Sequence, residues 1–270
     1  MVDHRIDNEK SREFIRKTLE KEFSAQEKLL EDVITAMDII EKDSLFVEKL
    51  STYQGLATHA LFLKGFNTFW ATLKLSKEGF GSEAMITVRS LFNLVVNLLW
   101  ISKENSNERA ERFLAFDIVY RKHRRDVVKS YNPGLPDPPN FKEIEDQYDS
   151  IKNKYSVTGD PRRDKWVEKS IAKMAVDVGK KKNYDIVYSY LSEIEHSGAS
   201  SLSRYVRVEG NEIRFQPGPS VELVYIALIL NFDNFYTLLR QVLKLFPLAI
   251  NIQEYKETFR KLYNVDPGES

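Results

Sequence analysis

The chain has no cysteine among its 270 residues, which excludes disulfides, thiolate nucleophiles and zinc–thiolate centres. It also has no surplus of charge. Forty basic side chains balance forty acidic ones, so the broad positive footprint that holds nucleic acid or anionic lipid is missing. Contact with nucleic acid is therefore not indicated, and only local patches could support it. Eleven glycines and nine prolines are few for this length, leaving room for long uninterrupted helices. The N-terminus, MVDHRIDNEKSREF, is charged and lacks the apolar core of a secretory signal, so a cytoplasmic location is expected. Two apolar runs, 84–101 and 221–250, are interrupted by charged, amide or proline residues. Neither is expected to span a membrane.

Missing motifs narrow the chemistry further. No phosphate-binding glycine loop, Gly-x-Ser-x-Gly elbow or His-Glu-x-x-His zinc pair occurs. Glu193 and His196 form one Glu-x-x-His pair, but a dinuclear bundle site needs a second pair and two more glutamates. No metal and no cofactor are expected. The arginine-to-histidine spacing of the helical HEPN ribonucleases is also absent.

What is present is a helical pattern organised around residues 82–100. This stretch is apolar almost all round, as a helix is when neighbours cover it on most sides. Arg89, Asn93 and Asn97 recur every fourth residue, so they stack on one face and require partners from elsewhere in the fold. Amphipathic spacing predicts further helices over 8–42, 45–77, 108–130, 141–155, 166–178, 184–195, 220–246 and 252–263. Residues 204–215 alternate, turn at Glu209-Gly210-Asn211 and alternate back, which predicts a β-hairpin. The expected class is all-α, a bundle of about eight helices with that hairpin appended. Long N-terminal helices (1–78) would pack on a helical core of 79–270, as one continuous globular unit.

A second polar stripe lies on 184–195, where Tyr188, Ser192 and His196 fall at i, i+4 and i+8. If it faces Arg89 and Asn93, the five residues line a polar pocket. The basic run 121–125 reads more simply as a solvated helix face.

These stretches resemble a bacterial domain-of-unknown-function family, number 5677. The resemblance is carried by 84–100 with its Arg89-Ser90-Leu91-Phe92 core, by Arg112-Phe113-Leu114, Trp166 and Met174-Ala175, and by Tyr188 to His196. It spans roughly 79–219 and implies a mostly helical cytosolic protein with no agreed activity, sometimes considered in the context of phage defence. The family pattern places a glutamate where Asn93 stands, so a carboxylate that could pair with the arginine or move protons is missing here.

Two readings follow, and whether the chain is an enzyme stays open between them. In the first it is a binding or regulatory module, in which Arg89, Asn93, Tyr188, Ser192 and His196 hold a small anionic ligand or a protein partner. In the second it is a metal-independent hydrolase of ribonuclease type, with His196 as general acid–base and Arg89 on the phosphate. Oligomeric state is not indicated.

Overall fold

A computed structural model describes residues 8–137, 139, 141–195, 205–209, 212–215 and 218–268. Its helices are α1 Asn8–Thr18, α2 Glu20–Ile40, α3 Ser44–Leu50, α4 Tyr53–Lys77, α5 Gly81–Lys103, α6 Ser106–Tyr131 and α7 Phe141–Tyr155. After these come α8 Ile171–Asp177, α9 Lys181–Glu195, α10 Val224–Val242 and α11 Ile252–Tyr263. Two short strands, β1 Val206–Glu209 and β2 Glu212–Phe215, pair antiparallel with Val206 opposite Phe215. The class is all-α.

There are eleven helices among the described residues, not about eight. The difference lies in breaks that hydrophobic periodicity runs straight through. Leu19, at φ −113° and ψ 29°, separates α1 from α2. Thr52 separates α3 from α4, its hydroxyl accepting the Gly55 N–H at 3.0 Å as an N-cap. Residues 166–169 form bends, and α8 begins only after Ser170, whose hydroxyl accepts the Lys173 N–H.

Helix α5 runs through the centre, packed against α4, α10, α9, α8 and α6. One side of it contributes Leu91, Val95, Leu98 and Ile101 to a large core shared with α2, α3, α4, α10 and α11. The other side contributes Ala84, Met85, Val88, Phe92, Val96 and Trp100 to a second core shared with α8, α9 and the start of α10. Each such Val, Leu, Ile, Phe or Met side chain, taken from water, is worth about 1.5–3 kcal/mol, so α5 is held from both sides. By length and composition α5 is long and apolar enough to cross a membrane, despite the polar residues that argued against a span in the sequence. Over half of that stretch is buried inside the fold, as the central helix of a core would be.

Buried polar groups tie the layers together. The Asn231 amide on α10 donates to the Gln26 side chain on α2 at 2.9 Å and to the Phe69 carbonyl on α4 at 3.2 Å. Gln26 in turn donates to the Leu228 carbonyl at 2.9 Å. Asp233, only 1% exposed, accepts the Gly268 N–H at 2.5 Å and the Asn183 amide at 3.3 Å. Lys180 donates to the Gly268 carbonyl at 2.6 Å. This second cluster pins the first turn of α9 to α10 and to the chain's C-terminal segment. Satisfying such groups internally is what permits their burial.

Where α4 turns into α5, Gly79 adopts φ +78°, a left-handed conformation that suits glycine. Two residues on, a Cβ at Gly81 would lie 2.1 Å from the Glu222 carbonyl oxygen and 2.8 Å from the Val224 nitrogen. Both atoms are backbone and cannot swing aside. Alanine normally favours a helix over glycine by about 1 kcal/mol, yet Gly81→Ala should destabilise the protein by about 1–3 kcal/mol through this overlap. Urea unfolding measures it, and an unchanged or higher midpoint would contradict the packing described.

Candidate functional site

Two polar stripes approach each other where α9 crosses α5. On α5, Arg89, Asn93 and Asn97 are half-buried at successive turns. On α9, Tyr184 and Tyr188 stack at i, i+4 with ring centroids 4.4 Å apart. Val187, Leu191 and Ile194 of α9 are buried in the core shared with Val88, Phe92 and Val96. That apolar contact, and the Asn183 anchor at the helix start, orient α9 so that Tyr188 faces α5.

The Tyr188 hydroxyl donates to Asn93 Oδ1 at 2.5 Å. The Arg89 guanidinium carbon lies 4.4 Å from the centre of the Tyr188 ring. Phe92 meets the same ring edge-on, with centroids 6.1 Å apart. A guanidinium over an aromatic face gains about 0.5–2 kcal/mol, more as water is removed. This arrangement uses the flat face of the arginine on the ring, and the in-plane N–H donors of a guanidinium are the ones that match an oxyanion. Beyond Tyr188, the Tyr205 hydroxyl reaches Glu83 on the first turn of α5 at 3.5 Å. Of the five residues singled out in the sequence, Arg89, Asn93 and Tyr188 come together. The side chain of Ser192 and the whole of His196 lie outside the described residues. Among the described residues, no three His, Asp or Glu side chains are grouped to hold a metal ion.

The basic run 121–125 departs from a solvated face. Arg121 and Arg124 are exposed, but His123 and Arg125 are 6% and 8% exposed. His123 Nε2 lies 3.1 Å from Asp164 Oδ2. Asp164 also accepts the Thr158 N–H at 2.7 Å, the Thr158 hydroxyl at 2.8 Å and the Gly159 N–H at 2.8 Å. Arg125 is ion-paired to Asp137, donates to the Leu135 carbonyl at 3.2 Å and has its guanidinium 5.3 Å from the Phe141 ring. Helix α6 is thus covered on two sides, by the 158–164 loop and by the 132–137 segment. The partners of His123 and Arg125 lie beyond α6 in the chain. The legible clue was the turn-forming Thr158-Gly159-Asp160-Pro161, which has to close onto something.

The His123–Asp164 pair is a clasp by its surroundings, because loop donors saturate the carboxylate and solvent hardly reaches it. Burial works against the charged form of Asp164. The Thr158 backbone and hydroxyl donors, the Gly159 N–H and the adjacent His123 outweigh it and hold the carboxyl below its ordinary value of 3.8.

The chain matches the family described as "Family of unknown function (DUF5677)" over residues 55–213, more than half of its length, and belongs to that family. The matched region runs from α4 through β2 and contains Arg89, Asn93, Tyr188 and the His123–Asp164 clasp. No curated protein and no solved structure matches the chain.

A carboxylate with a depressed folded-state pKa stabilises the fold fully above its unfolded pKa, near 3.8, and loses that contribution as pH falls through the lower folded value. Asp164→Asn should therefore cost about 1–3 kcal/mol at neutral pH and flatten the acid limb of the stability profile below about pH 4. Parallel acid denaturation of the two proteins checks this. Coincident curves would show that the clasp contributes nothing.

Proposed function

We propose that this chain is a ligand-binding, regulatory module in which α5 and α9 hold a small anion between them. Arg89 supplies the charge, and Asn93 and Tyr188 orient it. What supports the reading is one observation: the ring of Tyr188 lies under the Arg89 guanidinium while its hydroxyl is held by Asn93. A guanidinium braced in this way keeps its orientation without reorganising when an anion arrives, and preorganisation of that kind favours affinity. The residues sit at the margin of the core, half-buried. The hydrolytic alternative needs His196 beside Arg89. With that histidine outside the described residues, no observation favours hydrolysis over binding, so binding is the function proposed.

Thermal unfolding with and without inorganic phosphate, succinate or citrate tests the proposal. An anion that binds the folded state alone raises the melting temperature by mass action, with about 2.7 kcal/mol of stabilisation at a hundredfold excess over Kd. At least one of the three anions should stabilise the wild type by several degrees and leave Arg89→Gln unmoved. Tyr188→Phe should fall between them, keeping the ring and losing the bond to Asn93. No shift with any anion, or equal shifts in wild type and Arg89→Gln, would overturn it.

A further inference from the structure

At the opposite end of α5 from Arg89, eleven residues or about 16 Å along the helix, lies a cavity of about 370 Å³. It is lined by Trp100, Arg109, Arg112, Trp166, Val167 and Lys169, with Glu168 as the one carboxylate. Its size is within the range of small-molecule sites. Its cations are not equivalent. Arg109 donates to the Trp100 carbonyl at 2.7 Å, pairs with Glu104 and lies 4.2 Å over the Trp100 ring. Lys169 lies 4.6 Å from the same ring centre and pairs with Asp177 at 2.7 Å. These two are satisfied within the chain and frame the opening.

Arg112, one helical turn beyond Arg109, differs from both. Its guanidinium lies between aromatic rings, 5.4 Å from Phe116 and 5.6 Å from Tyr155. Its Nε is buried with no hydrogen-bond partner, and the side chain makes no hydrogen bond or ion pair among the described residues. An arginine in that position retains its charge and its planar fork of donors, which matches a carboxylate or phosphate edge-on. Trp166, propped edge-on against Phe113 with centroids 5.0 Å apart, and Val167 supply an apolar wall beside it.

We propose that this cavity binds a small aromatic oxyanion, with Arg112 gripping the phosphate or carboxylate and Trp166 and Val167 covering the ring. With Arg109 and Lys169 already paired, Arg112 is the cation that selects negative charge, and the apolar wall selects a ligand with a flat body over a bare ion. The site shares no residue with the α5–α9 stripe, so each proposal stands or falls on its own variants.

Calorimetric titration of the full chain carrying Arg89→Gln, so that only the cavity is read, with tryptophan quenching in parallel, uses four probes: AMP, benzoate, adenosine and inorganic phosphate. AMP or benzoate should bind with a Kd of about 1 mM or tighter, the stronger of the two telling phosphate from carboxylate recognition. Adenosine and inorganic phosphate should each be at least about tenfold weaker. Arg112→Gln should weaken the binding probe by about tenfold or more, the loss of a charge-assisted hydrogen bond. Lys169→Met, at an exposed rim position, should weaken it less. If Arg112→Gln fails to fold, Lys169→Met decides. The proposal is overturned by no binding of AMP or benzoate up to about 10 mM, by adenosine or phosphate binding the Arg89→Gln chain as well as the aromatic anions, or by undiminished affinity when either cavity substitution is added.

Discussion

The whole arrangement depends on α5 being covered on nearly every side. A helix in that position cannot hide a polar residue in water, so each one must be met by a neighbouring element. Arg89, Asn93 and the carbonyl of Trp100 are met by Tyr188 of α9 and by Arg109 of α6. The helices around α5 are therefore placed by two requirements at once. Their apolar faces complete the two cores, and their polar side chains answer those of α5.

Arginine is handled in one way throughout. Arg89 lies on Tyr188, Arg109 on Trp100, Arg112 near Phe116 and Tyr155, and Arg125 on Phe141. Each ring shields a flat face of the weakly hydrated guanidinium, which lowers the cost of removing it from water while leaving the edge donors in place. The edges then diverge in use. Arg125 clamps the proline-rich loop through Asp137, and Arg109 holds the C-terminal end of α5 through the Trp100 carbonyl. Ion pairing and carbonyl contacts thus account for those two as structural cations. The 12% aromatic content of the chain is in part what makes such half-buried cations tolerable.

How much of this could be read in advance follows from the range of the interactions. The central role of α5 and its polar stripe were legible, because spacing at four residues within one helix is local information. The meeting of Arg89 and Asn93 with Tyr188 spans some ninety residues, and could be posed only as a question about two stripes. The breaks at Leu19 and Thr52 were missed because they interrupt the chain without interrupting its apolar period. The burial of His123 and Arg125 was missed for another reason. Their partners, Asp164 and Asp137, sit in loops, and no periodicity ties a loop carboxylate to a particular helix. The Arg112 cavity was hidden likewise, since Trp166 reaches it from bends after α7 and not from the helix expected there.

On the apolar seat of α9, the contact of Tyr188 with Arg89 is what answers the charge that α5 carries. A double-mutant cycle on Arg89→Met and Tyr188→Leu, read by urea unfolding, measures that contact directly. A favourable coupling of about 0.5–2 kcal/mol is expected from a partly desolvated guanidinium on an aromatic face. Strictly additive effects of the two substitutions would contradict it.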